Sequence, residues 1–418
     1  MTTLHAEGET IRLETPQGVI EGVCDTRFRA VLDVFRANFA ERGELGGSCA
    51  ISVDGRLVVD LWGGTARPAR DSTPAVPWTR DTVSVVFSST KGATAFAAHT
   101  LVERGLLDLD ALVTRYWSDY GAAGKEATRV SMMLDHTAGV PAFREMVPAG
   151  GALDFEGMAA RIAAEAPFFE PGAVLSYHGQ TFAWTIGTVI RRASGTPLSR
   201  LFADALARPL GLDFWIGTPA DILPRIAQIK LPIVDPKAPK SRYAKAVSKP
   251  DSIPHLFTTN LGGLSYARPE TLAAEIGSSN GVTNARGLAG LYAPLANGGA
   301  FGGTQFVGAE VLARMQRVSA ASELDQTLLL PMRFGLGFMR ASADPDGTEA
   351  LLLGEEAFGH AGRGGSLGFA DPECRMSFGY VMNRLSPNML LDARGQALVD
   401  AAYEALGYRS RASGAWRG

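Results

Sequence analysis

The segment FSSTKG, residues 87–92, places two serines and a lysine at the start of a helix-like run. A serine hydroxyl is a weak nucleophile near neutral pH and becomes reactive beside a base, which can be a lysine whose pKa is lowered by burial. Residues three apart share a helix face, so Lys91 can lie beside Ser88, whereas Ser89 points elsewhere. The spacing therefore predicts Ser88 as a nucleophile. In the alternative interpretation, Ser88 caps a helix and Lys91 is a solvated surface charge.

Two further segments carry groups that could act on the same substrate. In EPGAVLSYHGQTFAW, residues 170–184, a Pro-Gly turn leads to Tyr177 at the mouth of a predicted helix. A tyrosine near a lysine ammonium releases its proton more easily than an isolated phenol. In FGHAGRGGSLGFADPE, residues 358–373, His360 and Gly362 stand at the start of a glycine-rich strand, where a backbone or ligand can approach closely. Backbone N–H groups of such a strand can form an oxyanion hole.

The elements that must position these groups follow from hydrophobic periodicity. An N-terminal amphipathic helix, with Asp25 as its cap, is predicted from apolar residues at three- and four-residue spacing, namely Phe28, Val31, Leu32, Phe35 and Phe39. The Asp54-Gly55 pair between two β-rich runs predicts a hairpin. From about residue 100 to residue 220 the periodicity is mostly helical. Five prolines disfavour a regular element in residues 229–256, which we interpret as a long loop over a cleft.

The rest of the chain returns to strands. Strand-like runs occur at residues 333–341, 365–373 and 375–385, and a helix is predicted at the end of the chain. This order predicts an α/β (α+β) fold in which an antiparallel sheet, built from both chain ends and flanked by helices, carries an inserted, mostly helical domain. The predicted sheet domain comprises residues 1–105 and 265–418, and the insertion comprises residues 106–264. The active site is expected between them.

Composition limits the classes of partner. The 418 residues include 40 basic and 43 acidic residues, which gives no basic footprint for nucleic acid. No apolar run approaches the roughly 18 residues of a membrane helix, and the N-terminal segment lacks the pattern of an export signal. Cys24, Cys49 and Cys374 are scattered, which fits a reducing compartment and forms no metal-ligand spacing. We therefore expect a cytoplasmic protein without nucleic-acid or membrane partners, and we leave its oligomeric state open.

Taken together, the motifs resemble those of the serine β-lactamase and penicillin-binding-protein superfamily. SSTK matches S-x-x-K, YHG stands in the place of Tyr-x-Asn, and HAG stands in the place of Lys-Thr-Gly, in the order typical of that superfamily. The phrases LDHTAGVP, NGVTNARGLAGLYAPLANGG and FGYVMNR extend the resemblance over roughly residues 25–405. The chain is most similar to the class C-like branch, which includes the family VIII carboxylesterases.

The resemblance implies a role for each matched residue and a β-lactamase/transpeptidase-like fold. Ser88 would be the acylated nucleophile, and Lys91 and Tyr177 would transfer protons. The backbone N–H groups of Ser88 and Arg363 would form the oxyanion hole. No metal or organic cofactor is required by this scheme.

Two departures from the motifs bear on the substrate. Gly179 replaces the Asn of Tyr-x-Asn and cannot hydrogen-bond a substrate amide through a side chain. His360 replaces the Lys of Lys-Thr-Gly and is expected to be mostly neutral. We therefore predict a carboxylesterase acting on small-molecule esters with short acyl chains, with weak β-lactam hydrolysis as a side activity. Gly179, His360 and Gly362 are expected to contact the substrate, and His178 to line the acyl pocket.

Several alternatives use the same Ser-Lys-Tyr set. They are a β-lactamase, a D-Ala-D-Ala-type peptidase, an amide hydrolase and an acyltransferase, which differ from an esterase in leaving group or acceptor. A binding module that has lost chemistry is the alternative outside enzymes, although Ser88, Lys91 and Tyr177 are all present.

Other residues that could suggest chemistry are interpreted as structural. GSSNG and GGSLG both fit G-x-S-x-G, but no histidine follows Ser366 and one follows Ser279, which disfavours a Ser-Asp-His order. His136 is interpreted as part of a turn near the site, and Tyr266 as core. In the loop of residues 229–256, Tyr243 could reach the cleft.

Overall fold

The computed structural model of the protein describes residues 8–234, 237, 240–344, 349–410 and 414–418. Its strands are β1 (Glu9–Thr15), β2 (Gly18–Cys24), β3 (Gly46–Val53), β4 (Arg56–Arg67), β5 (Val76–Pro77), β6 (Ser84–Val85), β7 (Phe214–Trp215), β8 (Val282–Thr283), β9 (Ala300–Phe301), β10 (Thr304–Gln305), β11 (Ala320–Ser322), β12 (Met332–Phe334), β13 (Met339–Arg340), β14 (Ser342–Ala343), β15 (Ala350–Leu351), β16 (Phe358–Ala361), β17 (Leu367–Asp371), β18 (Met376–Met382), β19 (Arg409–Ser410) and β20 (Trp416–Arg417).

The α-helices alternate with these strands. They are α1 (Arg29–Glu41), α2 (Thr90–Glu103), α3 (Val130–Leu134), α4 (Phe155–Ala164), α5 (Phe182–Ser194), α6 (Leu198–Phe202), α7 (Arg208–Leu210), α8 (Arg242–Val247), α9 (Ile253–Thr259), α10 (Pro269–Ala273), α11 (Ala285–Ala296), α12 (Ala309–Gln316) and α13 (Ala393–Ala405). Within the described residues, no helix is long and apolar enough to span a membrane.

The main sheet joins the two ends of the chain. Its strands run in the order β1-β2-β4-β3-β18-β17-β16-β13-β12-β11, with β5 paired to β4, and neighbouring strands are antiparallel. The N-terminal strand β3 pairs directly with the C-terminal strand β18, with Cys49 opposite Tyr380. This arrangement confirms the predicted antiparallel sheet built from both chain ends.

The hairpin between β3 and β4 has the turn that its sequence predicts. Val53 pairs with Arg56, which leaves Asp54 and Gly55 as a two-residue loop. Both loop residues have positive φ, 50° for Asp54 and 74° for Gly55. A turn of this kind matches the right-handed twist of the strands, and Asp-Gly tolerates its left-handed backbone.

Helices cover the two faces of the sheet. On one face, an added Cβ at Gly379 of β18 would lie 2.2 Å from the Ala285 carbonyl of α11, so this glycine allows α11 to approach. The neighbouring Tyr380 points to the other face because side chains alternate along a strand. There its hydroxyl bonds Glu44, which also pairs with Arg394 of α13 at 2.9 Å. The sheet is therefore buried between α11 and the α1/α13 pair.

Two predictions about the helices need correction. Asp25 accepts from the Arg27 amide and caps a short 3-10 turn, Thr26–Phe28, that precedes α1. The segment of residues 229–256 is not irregular throughout, because α8 and the start of α9 lie within it. Ser241 and Ser252 cap these two helices, and Pro254 stands in the first turn of α9, where its missing N–H is not needed. Pro236 and Pro239 lie outside the described residues.

The region predicted to be mostly helical, from about residue 100 to residue 220, contains α3 to α7 and the end of α2. A single buried cluster joins this region to the sheet, since it includes Phe96, Trp184 and Phe358. The division into a sheet domain, residues 1–105 and 265–418, and an insertion, residues 106–264, stays a prediction.

Candidate active site

Ser88 lies on a tight turn between β6 and α2. Phe87 has φ of 46°, a left-handed conformation that is rare for an aromatic residue and that bends the chain sharply before Ser88. The Thr90 hydroxyl donates to the Phe87 carbonyl at 2.5 Å and accepts from the Gly281 amide at 2.9 Å, which fixes the turn. Ser88 is half-buried and lines a cavity. This strained turn therefore holds the Ser88 hydroxyl at the cavity wall.

Lys91 is fully buried beside Ser88. Its Nζ lies 3.3 Å from Ser88 Oγ and donates to the carbonyls of Gly179 at 2.6 Å and Ser278 at 2.9 Å. Burial lowers the pKa of Lys91 well below its usual value of 10.5. A neutral amine has two N–H groups, which match the two carbonyls, and one lone pair, which is left to face the Ser88 hydroxyl. This is the arrangement that a base for Ser88 needs.

Tyr177 lies against the same lysine. Lys91 Nζ stands 5.0 Å from the centre of the Tyr177 ring. Burial raises the pKa of Tyr177, and the nearby Ser88 hydroxyl opposes this rise although no well-formed hydrogen bond joins the two. The expectation that Lys91 makes this phenol more acidic is therefore wrong, because the cost of burying a phenolate dominates. Tyr177 keeps its proton and is suited to donate it.

Asp325, which the sequence analysis missed, holds Tyr177 in place. Its buried carboxylate accepts hydrogen bonds from the amides of Tyr177 at 2.6 Å, Thr327 at 3.0 Å and Leu328 at 2.5 Å. Burial raises the pKa of Asp325 to about 7, although these three hydrogen bonds oppose the rise. The only local signal in the sequence is an aspartate two residues before a threonine, a pattern common in ordinary turns.

His136 and His178 form a packed layer behind Tyr177. His136 has φ of 66°, accepts from the His178 amide at 3.1 Å and packs at a tilt against the Tyr177 ring, with the ring centres 4.7 Å apart, which confirms its interpretation as part of a turn near the site. The His178 ring accepts from the Val140 amide at 2.9 Å, and burial lowers its pKa to about 3. The ring does not line the cavity. The expected contact of His178 with the acyl group is therefore not supported by its position.

The HAG segment ends β16 beside the Ser88 turn. Burial lowers the pKa of His360 to about 3, so its ring is neutral. An added Cβ at Gly362 would stand 2.2 Å from both the Val86 carbonyl and Ser366 Oγ, so this glycine admits the turn that precedes Ser88. The cavity wall includes Ala361 and Arg363 but neither His360 nor Gly362. Their predicted substrate contacts are not supported by these positions.

Ser366 and Ser279 have structural partners. Ser366 Oγ donates to the Val86 carbonyl at 2.8 Å and lies 3.1 Å from Ser89 Oγ, which ties β17 to the Ser88 turn. Ser279 Oγ donates to Gln180 at 2.8 Å and accepts from the Tyr266 hydroxyl at 2.6 Å. Neither hydroxyl bonds a histidine in the part of the chain that is described. Tyr266 packs against the hydrophobic core, as predicted, and it also lines the cavity with Ser279.

The cavity at Ser88 has a volume of about 270 Å³. Its wall is mainly apolar and aromatic, formed by Phe87, Ser88, Tyr177, Gly179, Gln180, Tyr243, Phe257, Thr258, Thr259, Leu261, Gly263, Leu264, Tyr266, Ser279, Leu328, Met339, Ala361, Arg363, Met389 and Leu390. An added Cβ at Gly179 would stand 2.2 Å from the Phe257 ring. Phe257 of α9 thus fills the space into which a side chain at position 179 would extend.

Two other cavities of the described structure contain none of the predicted catalytic side chains, and one of them, of about 630 Å³, is lined by residues such as Ser199 and Trp215. The other, of about 390 Å³, is lined by residues such as Ser322, Arg333 and Leu352. Among the described residues, no group of three or more His, Cys, Asp or Glu side chains could hold a metal ion.

The chain is similar to several known proteins over most of its length. A protein-family profile described as beta-lactamase matches residues 31–403. The esterase/beta-lactamase LipL of Mycobacterium tuberculosis is 35% identical over 390 residues, which is 90% of this chain and 85% of LipL. The crystal structure of a family VIII carboxylesterase is 36% identical and superimposes with a TM-score of 0.79, covering 92% of this chain and 99% of that one. A penicillin-binding protein homologue from Caulobacter crescentus is 35% identical, with a TM-score of 0.80 and coverage of 92% and 99%.

Proposed function

The chain belongs to the beta-lactamase family, and from that premise we propose that it is a serine carboxylesterase that cleaves short-chain esters through an acyl-enzyme on Ser88. The observation that carries the proposal is the position of Lys91. Its buried amine faces Ser88 Oγ at 3.3 Å while two carbonyls bind its N–H groups. A lysine in this setting is a base rather than a surface charge.

The acylation step then assigns each proton. Neutral Lys91 takes the hydroxyl proton as Ser88 Oγ attacks the ester carbonyl, and the resulting oxyanion is bound by the backbone N–H groups of Ser88 and Arg363. When the C–O bond of the ester breaks, the Tyr177 phenol gives its proton to the departing alkoxide and recovers one from the Lys91 ammonium. In deacylation, neutral Lys91 takes a proton from the attacking water; when the bond between the acyl carbon and Ser88 Oγ breaks, the Lys91 ammonium returns a proton to Ser88 Oγ and the carboxylic acid leaves.

The cavity wall favours esters over larger amides. Phe257 closes the side of the cavity next to Gly179, and Gly179 has no side chain with which to bind a substrate amide. A volume of about 270 Å³ lies just below the roughly 300 Å³ at which sites for drug-sized ligands begin. Short acyl chains fit such a site.

Weak β-lactam hydrolysis is a second candidate activity. It is favoured by LipL, a relative 35% identical over 90% of the chain, whose name includes both esterase and beta-lactamase. The same acyl-enzyme would form when Ser88 opens a lactam ring.

The test is ester turnover with a matched pair of serine variants. Purified protein is expected to hydrolyse p-nitrophenyl acetate and butyrate, and Ser88→Ala should abolish this activity. Ser89→Ala serves as the control, since Ser89 is buried and bonds Ser366 rather than Lys91. Mass spectrometry after exposure to a cephalosporin should place an acyl group on Ser88. No ester turnover above the Ser88→Ala background would reject the esterase proposal, and equal turnover of both substrate classes would favour a β-lactamase.

A further inference from the structure

Among the described residues of the cavity wall, Arg363 is the one that carries a charge. The other lining residues that the structure describes are apolar, aromatic or neutral polar. The Arg363 side chain is exposed, and within the described ranges no carboxylate pairs with its guanidinium. A cation in a wall without acidic residues gives the cavity a positive potential.

The turn that carries Arg363 is firmly held. The Gly365 amide donates to the Gly362 carbonyl at 3.0 Å, and the Ser386 amide donates to the Gly364 carbonyl at 3.1 Å. Gly364 and Gly365 have φ of 87° and 114°, values that favour glycine. The backbone at Arg363 is therefore fixed, and the freedom of this residue lies in its side chain.

Arg363 lines the cavity together with Tyr243 and Tyr266. Its charge opposes the rise that burial causes in the pKa values of Tyr243 and Tyr266, so it lies within electrostatic reach of both phenols. These tyrosines and Ser88 line the same cavity. An arginine in this position presents a planar pair of N–H donors to a molecule bound there, the geometry that matches a carboxylate.

We infer that the cavity selects esters that carry a carboxylate group, which the Arg363 side chain binds while Ser88 attacks the ester carbonyl. This inference rests on the proposed esterase function. It assigns the Arg363 side chain to substrate recognition, separately from the Arg363 backbone N–H that is expected to bind the oxyanion.

Two matched substrate pairs test the inference. 4-Acetoxybenzoate against 4-acetoxybenzamide places the charge on the leaving group, and mono-4-nitrophenyl adipate against 4-nitrophenyl hexanoate places it on the acyl chain. In at least one pair, the ratio of kcat/KM for the anionic over the neutral ester should fall roughly 10-fold or more in Arg363→Gln, the range for a lost charge-assisted hydrogen bond. Arg363→Lys should retain part of the ratio, because it keeps the charge but loses the paired donors.

Lys240→Gln is the control, since it removes an exposed positive charge that does not line the cavity. The ratio in this variant should equal that of the wild type. Added salt should lower the anionic preference of the wild type and of Lys240→Gln, and should leave the ratio in Arg363→Gln unchanged. An unchanged ratio in Arg363→Gln for both pairs would overturn the inference, whatever the absolute rates are.

Binding measurements separate this inference from the proposed function. In a Ser88→Ala background, calorimetry should show that 4-hydroxybenzoate binds more tightly than 4-hydroxybenzamide, and that Arg363→Gln removes the difference. If the wild type hydrolyses no ester but this difference is found, the esterase proposal fails and carboxylate recognition stands. If the wild type hydrolyses neutral esters but shows no preference for the carboxylate in rate or in binding, the esterase proposal stands and carboxylate recognition fails.

Discussion

Replacing Asp325 with asparagine should change both the stability and the activity of the protein. Asp325 is buried, and its pKa is raised from 3.8 to about 7 in the folded state. At pH values between 3.8 and about 7, the folded protein therefore holds a proton that the unfolded chain has lost. Stability is then lost as the pH rises from about 4 to about 7, and this contribution is constant above and below that window.

The size of the effect follows from the two pKa values. The Asp325 carboxyl titrates near 7 in the folded state and near 3.8 in the unfolded chain. The unfolding free energy should therefore decrease by roughly 2 to 3 kcal/mol as the pH rises from about 5 to about 7.5. An asparagine side chain does not titrate, so this part of the pH dependence should vanish in Asp325→Asn. Asparagine also presents an N–H to one of the three amides, and leaving the Tyr177 amide unpaired costs about 1 to 3 kcal/mol at all pH values.

Urea unfolding at several pH values measures the effect on stability, and ester hydrolysis measures the effect on activity. In Asp325→Asn, kcat/KM should fall about 10- to 100-fold because Tyr177 is no longer held at its amide. Asp119→Asn is the control, since Asp119 is exposed. An unchanged slope of unfolding free energy against pH would show that Asp325 is ionised throughout this range. Full activity would show that it does not position Tyr177.

Three further predictions concern the predicted catalytic side chains and the cavity wall. Lys91→Met should lower kcat/KM for p-nitrophenyl butyrate by about 100-fold or more at every pH, because the base is lost. Tyr177→Phe should slow ethyl butyrate hydrolysis far more than p-nitrophenyl butyrate hydrolysis, since p-nitrophenolate leaves without a proton; equal losses would contradict its role as donor. Gly179→Asn should lower the unfolding free energy by about 1 to 3 kcal/mol through its clash with the Phe257 ring, and Phe257→Ala should recover it in the double variant.

The sequence predicted local features well because they depend on short spacings. The Ser88/Lys91 pair needs only a three-residue spacing, which the 3-10 turn Phe87–Ser89 running into α2 also brings to one side, and the structure places the two side chains 3.3 Å apart. The Asp54-Gly55 turn needs only two residues that accept positive φ. The buried face of α1 follows from apolar spacing in the same way, whereas its start was misplaced because the 3-10 turn at Asp25 resembles the first turn of a helix.

What the sequence could not predict are the contacts between distant segments. Asp325 lies 148 positions beyond Tyr177, and Phe257 lies 78 positions beyond Gly179, yet the fold brings each pair together. The direction of the His178 ring and the place of Tyr266 in the cavity wall likewise depend on packing. No local pattern encodes these contacts, because each is made by a chain reversal elsewhere in the fold.

Chemical identity and order of the predicted catalytic residues were therefore set by the sequence, and their chemical state by the tertiary structure. Burial lowers the pKa of Lys91 and raises that of Tyr177, so a surface cation becomes a candidate base and an acidic phenol becomes a candidate proton donor. Removal from water penalises the charged form of any group, whatever its neighbours in the chain. Only the folded protein determines how far each group is removed from water.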